Sequence, residues 1–161
     1  MFRKRSGKGE SQLRAQDDQK PKKTDHRPLS RSEIMSRVKG KDSEAERALR
    51  SALLAQGMQF ELHRRIEGVT VDIVFPEPRV AVFVDGCFWH GCPEHATFPK
   101  SNVDYWLPKL EENKQRDKRQ TDRLRTVGWH VIRVWGHDCL PPSPRVVEAI
   151  VEACRRRAGD R

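Results

Sequence analysis

The chain has 161 residues, 34% of them charged, and a formal net charge of +9. That length fits one domain able to bury a core of its own without disulfides. No apolar stretch follows the basic start, and no run approaches the roughly 18 apolar residues of a membrane span. Secreted, disulfide-framework and membrane-spanning classes are therefore set aside. A cytoplasmic chain is expected, with cysteines that bind metal or react. A pI near 9.8 favours a polyanionic partner, nucleic acid first, and hence association with the nucleoid. Residues 1–31 contribute ten Lys/Arg against four Asp/Glu, or +6 of the +9, so the remainder is only mildly basic.

Residues 1–29 are polar, charged and nearly free of aliphatics, as expected of a disordered basic tail; residues 30–157 are expected to form the domain. Ser30 to Val38 reads as a short helix carrying Ile34, Met35 and Val38. A second helix opens on a capping box, Ser43 as N-cap and Glu46 at the third helical position, keeps Ala45, Ala48, Leu49, Ala52 and Leu53 on one face, and stops at Gly57. Three strands follow: Phe60 to Arg64, Val69 to Phe75, and Arg79 to Val84. The last is continuously apolar, as in a strand buried on both faces. A long polar helix is expected over Val103 to Val127, with Trp106, Leu110 and Leu124 inward and Pro108 tolerated only in its first turn. Trp129 to Trp135 reads as a strand, and Val147, Ile150, Val151 and Cys154 mark a closing helix. The order α, α, β, β, β, α, β, α predicts a single α/β layer fold.

Chemistry-bearing residues concentrate in Phe83 to His95, F-V-D-G-C-F-W-H-G-C-P-E-H. Cys87, Cys92 and His95 present three ligands suited to a structural zinc tetrahedron, which needs a fourth from elsewhere. His137 and Cys139 are the two candidates. Asp72 interrupts an apolar strand, where a charge is costly unless paired or metal-bound. With Asp85 at the next strand end, it makes a pair of carboxylates of the kind that holds Mg²⁺ and activates water beside a phosphate.

Phe88 and Trp89 are adjacent aromatics that suit stacking or wedging into a duplex, or simply a core. His90 is a candidate general acid or base. On the long helix, Lys109 and Asn113 share one face and can reach bases or phosphates. The plainer account of that helix is a solvated face, with Glu111, Glu112, Asp117 and Asp122 among its charges.

Together these motifs resemble the very-short-patch repair (Vsr) family of DNA mismatch endonucleases. The resemblance runs from about Arg31 to Leu140. It is carried by G-C-F-W-H at Gly86 to His90, R-S-x-x-M at Arg31 to Met35, Y-W-x-x-K-x-x-x-N at Tyr105 to Asn113, R-D at Arg116-Asp117, and G-W-x-V…V-W at Gly128 to Trp135. It implies a restriction-endonuclease-like α/β fold, a central mixed β-sheet flanked by helices, with a structural zinc site. It also implies Mg²⁺-dependent nicking of one strand beside a T:G mismatch left by 5-methylcytosine deamination.

By position, Asp72 matches the metal-binding aspartate, with the Val84 backbone beside it on Mg²⁺. Glu46 matches the glutamate supporting the metal's water, a role that competes with its capping box. His90 matches the catalytic histidine near the scissile phosphate. Phe88 and Trp89 match aromatics wedging in from the major groove, and Met35 a residue inserting from the opposite groove. Lys109 and Asn113 match positions that read the mismatched pair. The implied partner is double-stranded DNA carrying a mismatch, met by a monomer, with mismatch-repair proteins as further partners and no membrane.

This chain departs from the best-known form of the family in three places. Asp85 stands where that form has a histidine paired with the metal-binding aspartate, so a catalytic or metal role there is open. Cys92 and His95 replace a His-x-Cys arrangement, and His137 falls on the position of the last cysteine, which favours it over Cys139. No lysine follows the strand acids, so His90 would share that role. The rival expectations are a nuclease of the same fold with another mismatch, modified-base or foreign-DNA target, and a zinc-bearing DNA-binding module without catalysis.

Overall fold

Four strands make one mixed sheet in the order β1-β2-β3-β4. The computed structural model describes residues 42–95 and 103–159. The expected tail, the helix expected at Ser30 to Val38, and Met35 lie outside them. The elements are α1 (Glu44–Ala55), β1 (Glu61–Ile66), β2 (Val69–Phe75), β3 (Val80–Asp85), α2 (Val103–Thr126), β4 (His130–Trp135), a 3-10 turn (Gly136–Asp138) and α3 (Pro144–Gly159). β1 pairs β2 and β2 pairs β3 antiparallel, whereas β3 pairs β4 in parallel.

Local chemistry explains the ends of α1. The Glu46 amide donates to Ser43 Oγ at 3.2 Å, closing the expected capping box. At the other end the Gly57 amide donates to the Leu54 carbonyl and Met58 to Leu53, with Gly57 at φ +73°. That is a Schellman ending, in which the left-handed residue is a glycine because it has no Cβ to clash. α2 departs from expectation at Pro108, its sixth residue and thus beyond the first turn. The ring supplies no N–H, so the Asp104 carbonyl loses its helical donor there.

A parallel neighbour cannot be reached by a hairpin, so the chain crosses from β3 to β4 through α2. The sheet is thereby covered on both sides. On one, Leu49 and Leu53 of α1 and Ile150 and Val151 of α3 pack on Ile73, Val80, Val82 and Val134. On the other, Leu124 of α2 packs on Val71, Ala81, Phe83 and Val131. β3 feeds both clusters, which is why its sequence is unbroken V-A-V-F-V. Truncating a fully buried leucine such as Leu49 or Leu53 would cost about 2–5 kcal/mol. None of the described helices is long and apolar enough to cross a membrane.

Candidate active site

Two side-chain clusters form where β3 ends, one on each side of the sheet. The first begins with Asp72. The β2–β3 ladder runs from Phe75↔Val80 to Ile73↔Val82 and then stops. Beyond it the Val84 amide donates to Asp72 Oδ2 at 2.9 Å, so a carboxylate replaces the missing backbone partner. β2 also changes its facing here: Val69 and Val71 belong to the core under α2, Ile73 and Phe75 to the core under α1 and α3. A regular strand would put all four on one side.

In the β1–β2 register, His63 falls between the pairs Leu62↔Ile73 and Arg64↔Val71, opposite Asp72. Its backbone is left-handed, φ +48°. Glu46 reaches the same point from α1. One ligand atom from each of Glu46, His63 and Asp72 lies within 4.8 Å of the other two.

The capping box engages both carboxylate oxygens of Glu46. Ser43 donates to Oε1 through its amide at 3.4 Å and its hydroxyl at 3.0 Å, and the Asp42 amide donates to Oε2 at 3.0 Å. The same Oε2 lies 3.9 Å from His63 Nε2. The cap therefore anchors a buried carboxylate at the edge of the cluster. Burial pushes the Asp72 carboxyl up to about 6; the Val84 amide opposes this, and the negative charges of Glu46 and Asp85 add to it. A group of two carboxylates and an imidazole, with one carboxyl held in a poorly solvated place, is chemically suited to a divalent cation.

The second cluster lies under α2. Asp85 accepts from Arg133 at two points, Nε to Oδ2 and Nη2 to Oδ1, both 2.6 Å. The Arg133 guanidinium also lies 4.7 Å from the centre of the Phe83 ring and 3.3 Å from Asp117 Oδ1. His90 Nδ1 meets Asp117 Oδ2 at 2.5 Å and Asp85 Oδ1 at 3.4 Å. Both carboxylates thus act on one ring nitrogen, Nδ1, and leave Nε2 to the other side of the ring. Arg133 is held further toward its charged form by Asp85 and Asp117, against the cost of its burial. Asp85 is therefore engaged with Arg133 and His90, and it does not belong to the group around Asp72.

Cys87, Cys92, His95 and His137 form the third arrangement, their ligand atoms within 4.8 Å of one another. His137 Nδ1 lies 3.1 Å from Cys87 Sγ and 3.8 Å from Cys92 Sγ, and His95 Nδ1 lies 3.9 Å from Cys92 Sγ. Tetrahedral zinc with usual bond lengths has sulfur–nitrogen edges of about 3.6 Å, so this donor set fits the ion. His137 turns its Nε2 toward Glu94 and Asp138, at 3.8 and 3.6 Å. Cys139 is excluded from the group. It is fully buried in the core beneath α1 and α3, and burial pushes its thiol up to about 12.

Between these clusters the loop carries Phe88 and Trp89, both half-buried. Each packs on Trp106 of α2, with ring centres 5.4 and 5.8 Å away, and they lie 5.2 Å from one another. The pair forms a ledge against the helix. Asn113 is buried, and its amide donates to the Trp89 carbonyl at 3.1 Å; here it supports the loop. Lys109 is exposed on α2. Gly91, at φ +65°, lies so close to Lys114 that an added Cβ would sit 2.4 Å from Lys114 Cε. The lysine end can swing aside, so it is the left-handed backbone that favours glycine here.

Three residues of these clusters escaped the sequence reading. Asp117, assigned there to a solvated face, is buried; it lies on the inward stripe Trp106, Leu110, Asn113, Asp117, Leu124. That helical spacing was a usable signal. Arg133 sits inside an otherwise apolar strand, V-I-R-V-W, where a buried cation demands partners. His63 had no local signal, because only the strand register sets it opposite Asp72.

Comparison with known proteins bears on the family. Residues 24–95 match the family model described as DNA mismatch endonuclease Vsr. The chain is 46% identical over 110 residues to the type II nicking enzyme V.XorIIP of Xanthomonas oryzae pv. oryzae, covering 67% of this chain and 80% of that protein. It is 33% identical over 114 residues to the DNA mismatch endonuclease Vsr of Escherichia coli, covering 68% and 71%. In fold it is similar to the catalytic domain of the homing endonuclease I-Bth0305I, with a TM-score of 0.50 at 19% identity, over 72% of this chain and 98% of that one. That likeness is one of fold, a sheet with flanking helices. On the sequence matches, and on the motifs whose side chains converge at the end of β3, the chain belongs to the Vsr family of DNA mismatch endonucleases.

Proposed function

We propose that this protein nicks one strand of duplex DNA beside a T:G mismatch by Mg²⁺-dependent hydrolysis, with zinc holding the loop that meets the DNA. The observation that carries this reading is the convergence of an acid–imidazole cluster and an anchored histidine at one strand end. Asp72, with Glu46 and the Val84 backbone beside it, would hold the cation, which supplies positive charge to the phosphoryl oxygens as negative charge builds there. His90, oriented at Nδ1 by Asp117 and Asp85, presents Nε2 to the scissile phosphate and moves the proton. Arg133 offsets the two carboxylates so that the imidazole is held without an excess of buried negative charge.

Cys87, Cys92, His95 and His137 tie the loop to the turn after β4, and Trp106 and Asn113 brace it from α2. Phe88 and Trp89 thus enter the DNA as a preformed ledge. Wedging costs less beside a mismatch, which stacks poorly, so selectivity begins before any base is read. Lys109, together with Met35, contacts DNA in this reading; Asn113 does so only if the loop moves to free its amide. The protein acts as a monomer.

The test is incubation of purified protein and Mg²⁺ with end-labelled matched and T:G duplexes. A strand-specific nick confined to T:G, lost in Asp72→Ala, is expected. Equal treatment of both duplexes, or full activity of Asp72→Ala, overturns the proposal. A second reading, the same chemistry on another mismatch or modified base, is favoured by one observation. The Asp85–Arg133 pair occupies ground where the best-known form of the family has a histidine. A panel of mismatched and modified duplexes separates the two.

A further inference from the structure

His63 is half-buried, yet among the described residues neither ring nitrogen has a hydrogen bond. Nδ1 is sealed from solvent without a partner, and Nε2 has only Glu46 Oε2 at 3.9 Å, beyond hydrogen-bond range. Buried polar groups left in this state call for an explanation, and a bound ligand is one. The backbone pays for the placement as well, because a histidine inside a strand adopts φ +48°. Its position is fixed by pairing: the β1–β2 register sets it across from Asp72, and the ligand atoms of Glu46, His63 and Asp72 lie within 4.8 Å of one another. The site so formed has two carboxylates and one imidazole. Mg²⁺ takes oxygen donors almost alone, whereas first-row transition ions accept imidazole nitrogen readily.

We infer that His63 is a nitrogen ligand of the catalytic cation, and that it makes this site prefer a transition ion such as Mn²⁺ over Mg²⁺. The inference rests on the assignment of Asp72 and Glu46 to the cation. It adds a third side-chain ligand and a metal preference that the acids alone would not give.

The test uses the full chain with its Cys/His site already loaded with zinc, so that this site takes up no manganese. Mn²⁺ binding is followed by electron paramagnetic resonance, and Mg²⁺ is titrated against it. The expected result is one tight Mn²⁺ site, at least tenfold stronger than for Mg²⁺, with a ¹⁴N coupling in the pulsed spectrum. His63→Gln should lose the coupling and bring Mn²⁺ down to the Mg²⁺ level, while Asp72→Asn should lose the site for both ions. Equal affinities in the native chain, or an unchanged coupling and affinity in a folded His63→Gln, overturn the inference. His63→Asn serves as the second variant, and if both unfold, the Mn²⁺/Mg²⁺ competition on the native chain decides alone.

Nicking assays keep the two proposals apart. The predicted metal behaviour without any T:G nick removes the proposed function and leaves the metal site. T:G nicking with no Mn²⁺ preference does the reverse.

Discussion

Arg133 grips Asp85 diagonally across the parallel β3–β4 pair, with 2.6 Å contacts at both carboxylate oxygens. Phe83 is the register partner of Arg133, and Trp135 that of Asp85, so both charged side chains project to the α2 side of the sheet. Arg133→Met would leave Asp85 and Asp117 buried without their cation. It should cost about 3 kcal/mol, whereas Arg133→Met with Asp85→Asn should recover much of the loss. Urea unfolding of the four forms in a double-mutant cycle measures the coupling. Additive effects would mean the pair is not a unit.

Asp72 should make the metal-free protein less stable as pH rises. Its carboxyl is raised from 3.8 to about 6 by burial. Between these values the folded state binds more protons than the unfolded one, so stability falls through that window and stays low above it. A shift of this size corresponds to at most about 3 kcal/mol, less whatever solvent relieves. Asp72→Asn should therefore raise the melting temperature of the metal-free protein at pH 8 while abolishing cleavage. An unchanged or lowered melting temperature there would show that the charge is already accommodated.

Asp117→Asn removes the carboxylate that meets His90 Nδ1 but keeps the shape. We expect kcat for nicking to fall by about 10² or more with KM little changed, since orientation and proton transfer are worth that much. Single-turnover kinetics, with circular dichroism as a folding control, test it. A rise in KM alone would assign Asp117 to DNA binding.

Removing the metal from the Cys/His group should unfasten the loop and spare the sheet. Cys87→Ser is expected to lower stoichiometric zinc, reduce near-ultraviolet dichroism from the Phe88–Trp89–Trp106 cluster, and abolish mismatch discrimination. Far-ultraviolet dichroism should stay close to that of the native protein. Metal analysis is decisive: full zinc content in folded Cys87→Ser would show that the ligand assignment fails.

Most of the scaffold was legible because its signals are local. The capping box at Ser43, the glycine stop at Gly57 and the unbroken apolar run of β3 each depend on neighbours within a few residues. So does the cluster of Cys87, Cys92 and His95. The motifs spread over the chain also carried the family, because their order and spacing survive without any coordinates.

Folding settled what lies between distant segments. His137, not Cys139, completes the Cys/His group because the turn after β4 sends one side chain out to the loop and the next cysteine into the core. Asp85 is drawn to Arg133 because β3 and β4 run parallel in register, a pairing across 48 residues of chain. Asp72 and His63 meet because β1 and β2 pair antiparallel with a break in the regular facing at that point. Sequence alone determined the elements and most of the residues that gather at the end of β3, but not His63, Asp117 or Arg133. Tertiary structure alone decided how they divide between two sides of one strand end, because strand register and helix crossover act over distances that no local pattern encodes.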